Sequence, residues 1–288
     1  LKKVNKILLF SKKLKRNDDS LLQVGDNDSG CFYDLDYSIK SLERKKLHLL
    51  LSKKEKGSLF SLIKSSIKKD LNLFEQIKEK KSAGNKKKNF CDMEKKFTQE
   101  YDFFFPKKIN PKNISLTSFP EFGLYCFNHK LFSLFVICKM NHNLLNSGHL
   151  HYDNLSLDLN INKKNIITDP GSFCYTSDKE KRNEYKSINA HFAPYFCNFR
   201  ILHDTEFFIS RYFYKAKSLF YGNDIFSGKI EYKGKSIQRF IKINENGIKI
   251  LDSSDTEKIF NLRNSNGIKI STSYRVLSDN LAINKKKI

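Results

Sequence analysis

The feature that most constrains the fold is a β-hairpin written into the middle of the chain. Residues 155–160 alternate leucine with Ser, Asp and Asn, the period of two that is typical of a half-buried strand. Residues 162–165 (NKKN) form a predicted turn, and Ile166-Ile167 begins a returning strand that ends at Asp169. Because the two strands have similar lengths, we expect Asp169 to return to a position beside His151.

Three histidines accompany this hairpin. His149 and His151 precede it, and His191 follows it. Side chains at i and i+2 of an extended chain point to one side. Imidazole nitrogen and carboxylate oxygen suit zinc, and three protein ligands leave one coordination position open. The pattern indicates a metal site with one histidine left for chemistry. The alternative is that these histidines lie at the surface or core edge and hydrogen-bond nearby backbone.

The rest of the chain predicts helices first and strands afterwards, which favours an α+β protein with two domains. Apolar residues recur at helical spacing in residues 1–14 and 60–77, and residues 38–53 form a further candidate helix. Lys233-Gly234 and Asn246-Gly247 are typical of hairpin turns. The predicted strands are 123–126, 131–138, 155–161, 207–214, 237–243 and 248–251.

Residues 148–191 carry a longer pattern than the hairpin alone. They read GHLHYDNLSLDLNINKKNIITDPGSFCYTSDKEKRNEYKSINAH. This order resembles the core signature of the heparinase II/III-like polysaccharide lyases, in which G-H-x-H-x-D-x-L-S leads to D-P-G, a Tyr, an Arg and A-H-N. A shorter match, VGDNDSG at residues 24–30, is similar to the G-D-x-D-x-G loop. Members of the family associated with bacterial surface-polysaccharide clusters carry that loop in their helical domain.

The resemblance implies a fold and a domain order. We expect helical hairpins, the remnant of an α/α toroid, over residues 1–110. An antiparallel β-sandwich is expected over residues 111–288. The helical stretch is much shorter than a toroid, so we expect a C-terminal fragment or a truncated gene product. The family's principal catalytic tyrosine and its asparagine or histidine partner lie further upstream in the toroid.

The resemblance also implies a reaction and the residues that carry it. Lyases of this family cleave uronate-containing glycans by β-elimination, which needs a base at C5 and an acid at O4. By motif position, His149 and Tyr175 are the implied catalytic residues. The implied metal ligands are His151, Asp169 and His191, and the metal is a divalent ion, zinc by ligand chemistry. For Tyr175 the alternative role is a packed tyrosine of the sandwich.

Further positions of the pattern have two interpretations or depart from the family. The resemblance implies that Arg182 binds a substrate carboxylate, which a guanidinium can do in a bidentate way. The alternative is an exposed arginine among the charged residues 179–181. Asp153 and Ser156 are expected to brace the histidine-bearing strand by hydrogen bonds. After His191 the family continues with Asn-Thr-Val, whereas this chain has residues FAP at 192–194.

The formal net charge of +22 favours a polyanionic partner. An acidic polysaccharide and a nucleic acid would both be attracted. Many lysines, however, lie on predicted helix faces at 45–56 and 64–81 or in the linker 86–88, which indicates solvated surfaces. No apolar run approaches the roughly 20 residues that span a bilayer, so no transmembrane segment is predicted.

Three functions compete. The first is a polysaccharide lyase, or its C-terminal portion, acting on an acidic glycan. The second is a non-catalytic carbohydrate-binding or surface-polysaccharide assembly protein on the same fold. The third, a basic nucleic-acid-binding protein, lacks the usual motifs, so we predict no specific nucleic-acid partner. The resemblance places the protein in the cell envelope or periplasm of a bacterium.

Overall fold

The computed structural model describes residues 10, 12–25, 97–140, 149–175, 177–196, 214–256, 258–260, 268–273 and 275–281. The predicted helices at 38–53 and 60–77 lie outside the described residues, as does almost all of the predicted strand at 207–214. Of the predicted helix at 1–14, Phe10, Lys12 and Lys13 are described and are helical.

Two five-stranded antiparallel sheets make up most of the described structure. Sheet 1 has the strand order β2-β3-β4-β5-β6, and sheet 2 has the order β1-β11-β10-β9-β8. In sheet 1 the strands are β2 (Ser115–Phe119), β3 (Leu124–His129), β4 (Phe132–Ile137), β5 (Leu157–Ile161) and β6 (Lys164–Ile167). In sheet 2 they are β1 (Phe97–Phe104), β8 (Lys215–Gly222), β9 (Ile225–Tyr232), β10 (Lys235–Ile243) and β11 (Gly247–Ser254).

Short elements complete the fold. Two-stranded pairs join β7 to β12 and β13 to β14. The helix α1 (Lys179–Lys186) is capped by the Asp178 side chain, which accepts a hydrogen bond from the Lys181 N–H. The short strands are β7 (Tyr195–Phe196), β12 (Ile259–Phe260), β13 (Lys269–Ser273) and β14 (Val276–Leu281), and two 3-10 helices span Pro111–Asn113 and Ile188–Ala190.

The two sheets pack face to face over one apolar core, which confirms the predicted β-sandwich. The core joins Phe127 and Leu134 of sheet 1 to Ile241 and Ile250 of sheet 2, all fully buried. The alternating burial of β10 shows the period of two expected of a strand with one covered face. Aromatic rings meet between the sheets, as in the contact of Tyr125 with Phe226, whose centroids are 4.9 Å apart.

Sheet 1 is covered on its other face as well. Residues 12–25, here called the 12–25 segment, place Leu14 and Leu22 against the outer side of β3 and β4. As a result every residue of β4 and of β5 is buried. The prediction of a half-buried strand was therefore wrong for β5, whose polar residues Asp158 and Asn160 are buried beneath this segment.

The β region begins earlier than the boundary predicted at residue 111. Strand β1 (Phe97–Phe104) lies within the predicted helical region and pairs along its whole length with β11. The ladder hydrogen bonds of β1 tie it to sheet 2, so the sandwich includes residues from Phe97 onwards. The division into a toroid remnant and a sandwich stays a prediction. Among the described residues, no helix is long and apolar enough to cross a membrane.

Candidate functional site

The hairpin of β5 and β6 gathers the predicted metal ligands at one end of sheet 1. His151 precedes β5, Asp169 follows β6, and His191 follows the 3-10 helix Ile188–Ala190. All three side chains are buried, and one ligand atom from each lies within 4.8 Å of the others. The imidazole centroids of His151 and His191 are 5.3 Å apart. The expected convergence of these residues is observed.

Local hydrogen bonds fix the segment that carries His151. The Tyr152 N–H donates to the Lys186 carbonyl over 2.9 Å, which ties this segment to the end of helix α1. Asp153 pairs with Lys139, whose Nζ lies 2.9 Å from both carboxylate oxygens, and both side chains are buried. Asp153 therefore braces the histidine-bearing segment, as predicted, and it does so through an ion pair.

The Asp-Pro-Gly turn orients the carboxylate of Asp169. The Gly171 N–H donates to Asp169 Oδ1 over 2.9 Å, while Oδ2 lies 3.1 Å from His191 Nδ1. Gly171 has a φ of +77°, and a Cβ there would lie 2.8 Å from the Ser271 carbonyl oxygen. Glycine is required at this turn because both the backbone angle and the available space exclude a side chain.

The charges of the site are mutually dependent. Burial acts to raise the pKa of Asp169, but the nearby His191 and His151 overcome this effect and hold that pKa below its usual value. Burial acts to lower the pKa of His191, but the Asp169 carboxylate overcomes it and raises that pKa. In the described structure the two side chains therefore favour an ionised pair.

The residues present fit a divalent metal such as zinc. Two imidazoles and one carboxylate are a common zinc donor set, and three ligands leave a position open. His191 Nε2 is buried and has no hydrogen-bond partner among the described residues. A buried imidazole nitrogen without a hydrogen-bond partner is suited to coordinate a metal ion. The alternative, in which the histidines hydrogen-bond nearby backbone, does not describe His191.

His149 and Tyr175 lie next to each other, and His149 precedes the candidate ligand His151 by two residues. His149 is exposed and Tyr175 is half-buried, and their rings meet edge to face with centroids 6.4 Å apart. Gly25, the first glycine of the shorter motif, packs against the backbone of His149: a Cβ there would lie 2.6 Å from the His149 carbonyl oxygen. The two sequence motifs therefore meet at His149. The catalytic roles of His149 and Tyr175 stay predictions.

Arg182 is buried, with 2% of its surface exposed. The expectation of an exposed arginine is wrong, because residues 179–181 face solvent while Arg182 lies on the inward side of helix α1. Its predicted pairing with a substrate carboxylate stays a prediction, although burial leaves little of the guanidinium accessible to a polymer.

Several charged residues that support the site were not predicted. Lys139 holds Asp153, and Arg16 of the 12–25 segment pairs with Asp158, which in turn accepts the Asp169 N–H over 3.3 Å. Lys139 follows a long apolar run, and a charge at the end of a buried strand was the available signal. Arg16 lies in a run of basic residues, and nothing distinguished it from its neighbours.

One protein family matches part of the chain. Residues 111–192 match the family described as Heparinase II/III-like, C-terminal. No curated protein matches the chain.

Similar solved structures include a heparan sulfate lyase and a heparinase III. A heparan sulfate lyase from Pedobacter heparinus is 15% identical, with 87% of this chain and 32% of that chain covered and a TM-score of 0.44. A heparinase III with methylated lysines is 14% identical, with 86% and 31% covered and a TM-score of 0.45. The chain thus spans about a third of the length of these lyases. The resemblance predicted from the sequence is confirmed over residues 111–192, which match the heparinase II/III-like C-terminal family.

Proposed function

We propose that this chain is part of a polysaccharide lyase that cleaves an acidic, uronate-containing glycan by β-elimination. The observation that carries the proposal is the contact of the exposed His149 with Tyr175. His149 lies two residues before His151, which forms a buried cluster with Asp169 and His191. Two neighbouring acid–base side chains, of which His149 is exposed to solvent, next in sequence to a buried cluster, fit what proton transfer to and from a polymer requires.

The reaction defines what the two side chains must do. In β-elimination at a uronate, the C5–H and C4–O4 bonds break, a C4=C5 double bond forms, and a proton is delivered to O4. We assign His149 and Tyr175 as the pair that removes the C5 proton and protonates O4. Imidazole and phenol can both accept and donate a proton, and each group needs to be within hydrogen-bond reach of the sugar.

The metal ligands support this pair through the backbone. We propose that His151, Asp169 and His191 hold a zinc ion, whose role is to fix three separate segments at one point. His151 shares its short segment with His149, so fixing the His151 imidazole restricts the position of His149. Neutralisation of the uronate carboxylate is assigned to Arg182 as a prediction from motif position.

The direct experiment is an elimination assay on the whole chain. A panel of uronate-containing glycans, including heparin and alginate, is incubated with the zinc-loaded protein, and the ultraviolet absorbance of the unsaturated uronate is followed. We expect His149→Ala and Tyr175→Phe each to lower the rate by about 10²- to 10⁴-fold. The matched control, Tyr232→Phe, removes the hydroxyl of a half-buried tyrosine on β9 and should leave the rate unchanged.

The same assay separates the competing function. Glycan binding without an unsaturated product would favour a non-catalytic carbohydrate-binding or surface-polysaccharide assembly protein. If the chain binds no acidic glycan and forms no unsaturated product, both the lyase and the carbohydrate-binding function are contradicted. Equal binding of DNA and glycan at physiological salt would favour a nonspecific electrostatic interaction.

The metal site has its own test. We expect one zinc ion per chain by elemental analysis, and its loss in His151→Ala and His191→Ala. His129→Ala, which removes a partly buried histidine from β3, is the control and should keep the metal.

We further propose that the protein acts in the cell envelope or periplasm of a bacterium, where an acidic polysaccharide would be its partner. Fractionation of the source cells, with detection of the native protein, tests this location. Recovery of the protein with cytoplasmic markers alone would contradict it.

A further inference from the structure

Arg239 is a fully buried arginine in the centre of sheet 2. It lies on β10 and forms a bidentate ion pair with Asp252 of β11, with Nε to Oδ1 and Nη2 to Oδ2 distances of 2.6 Å each. Both side chains have 0% exposure. Burial of two charges is costly unless every hydrogen-bonding group is satisfied, so the remaining donors of Arg239 are informative.

The remaining donors point at sheet 1 and the candidate metal site. Nη1 of Arg239 donates to the Leu155 carbonyl over 2.6 Å and to the Phe192 carbonyl over 2.7 Å. The Arg239 guanidinium also lies over the Phe192 ring, 5.0 Å from its centroid. One nitrogen therefore links two stretches of chain that are otherwise distant in sequence.

Both of these carbonyls belong to segments that carry metal ligands. Phe192 directly follows His191, and Leu155 lies in the buried stretch that begins at His151. The Leu155 N–H is itself held by the Ile137 carbonyl over 2.6 Å. Movement of either segment would shift one imidazole relative to the other, so the distance between the two histidines depends on what holds these carbonyls together.

We propose that Arg239 is a positioning residue for the metal centre: its single Nη1 fixes the His151 and His191 segments relative to each other, with Asp252 holding the guanidinium in place. The inference rests on the proposed metal site. Arginine is required at this position because its planar fork serves three acceptor groups at once. An ammonium group at the end of a lysine has no such fixed geometry.

Two variants separate positioning from folding. Arg239→Lys keeps a positive charge for Asp252 but removes the fork. Arg239→Met with Asp252→Leu removes both charges, so that no carboxylate is left buried and unpaired. Lys242→Met is the matched control, because Lys242 lies on the same strand in a half-buried ion pair with Asp224.

Two measurements are made on the whole chain for each variant. The first is zinc affinity by competition with a chelator of known strength, and we expect about a tenfold loss or more in both Arg239 variants. The second is hydrogen exchange of the metal-free protein. Loss of two hydrogen bonds should speed exchange in peptides covering 151–156 and 188–193 by about tenfold, with β3 and β4 unchanged.

The outcomes distinguish this inference from the proposed function. Weaker zinc binding and faster local exchange in both Arg239 variants, with the Lys242 variant unaltered, is the result expected. Wild-type zinc affinity in either folded Arg239 variant would overturn the positioning role while leaving the metal site intact. Failure of the wild-type chain to bind zinc would overturn the metal site itself, and unchanged exchange would then overturn the link through Arg239 as well.

Discussion

The fold shifts the pKa values of Asp169 and His191 in opposite directions. The pKa of Asp169 is lowered and that of His191 is raised, in each case because the other residue's charge outweighs the effect of burial. Groups with such opposed shifts contribute to stability in a defined pH window. These pKa shifts should affect the stability of the metal-free protein and the affinity of the predicted site for zinc.

In the metal-free chain, the Asp169–His191 pair should stabilise the fold most between about pH 4 and pH 6.5. The Asp169 contribution is lost as the pH falls through its lowered pKa, and the His191 contribution is lost as the pH rises through its raised pKa. Urea unfolding at a series of pH values should show a smaller change of the free energy of unfolding with pH in His191→Gln than in the wild-type chain. An identical profile in the variant would contradict the ionised pair.

Protonation of His191 should weaken zinc binding, whereas it strengthens the pairing with Asp169 in the metal-free protein. Zinc requires the neutral imidazole, so zinc affinity should fall as the pH is lowered through the raised pKa of His191. Competition titrations with a chelator at several pH values, with the chelator's own protonation included, measure this. Affinity that stays constant as His191 becomes protonated would exclude it as a ligand.

At the scale of elements, the 12–25 segment and strand β5 are joined by a buried ion pair. Arg16 contacts Asp158 through Nε and Nη2, at 2.7 and 2.6 Å. Asp158 also accepts the backbone N–H of Asp169. The 12–25 segment is thus connected to Asp169, a predicted metal ligand, through one carboxylate.

Removal of Arg16 should destabilise this layer strongly. In Arg16→Met the Asp158 carboxylate is left buried without its partner, and we expect a loss of about 3–5 kcal/mol in the free energy of unfolding. Denaturant titration measures it. Lys108→Met, which breaks the exposed pair with Glu245, is the control and should change stability by about 1 kcal/mol or less. A comparably small loss in Arg16→Met would show that the Arg16–Asp158 pair contributes little to holding the segment.

The turn between β5 and β6 predicts a stabilising substitution. Asn162 and Lys163 have φ angles of +50° and +61°, as in a type I′ turn, where glycine is favoured at the second position. Lys163→Gly should therefore raise the free energy of unfolding by about 0.5–1 kcal/mol. Lys164→Gly, one residue later within β6, should instead lower it, and thermal unfolding of both variants tests the difference.

At the scale of the whole molecule, the net charge of +22 governs how a polyanion approaches. Association with an acidic glycan should weaken roughly 3- to 10-fold between about 50 and 300 mM salt, because ions screen the long-range field. Isothermal titration with the preferred glycan, and with a neutral glucan as control, measures the effect. Salt-independent binding of the acidic glycan would indicate that uncharged contacts dominate.

The sequence by itself determined the hairpin, the sandwich and the group of candidate ligands. The period of two in residues 155–160 and the turn that follows are local properties, and the histidine and Asp-Pro-Gly spacings lie within 44 residues, from 148 to 191. Patterns of this kind depend on residues that are near each other in the sequence, so they could be recognised without the structure.

Only the tertiary structure decided what surrounds the site. Arg16 lies 142 residues from Asp158, and Arg239 lies 84 residues from Leu155, so no periodicity connects them. Asp158 and Asn160 of β5 were expected at a solvated face and are buried, because the 12–25 segment covers that face. It supplies Arg16 as a partner for Asp158 and Asp18 as a partner for the Asn160 amide nitrogen. Burial and long-range pairing are properties of how layers stack, and that stacking arises only when the whole chain has folded.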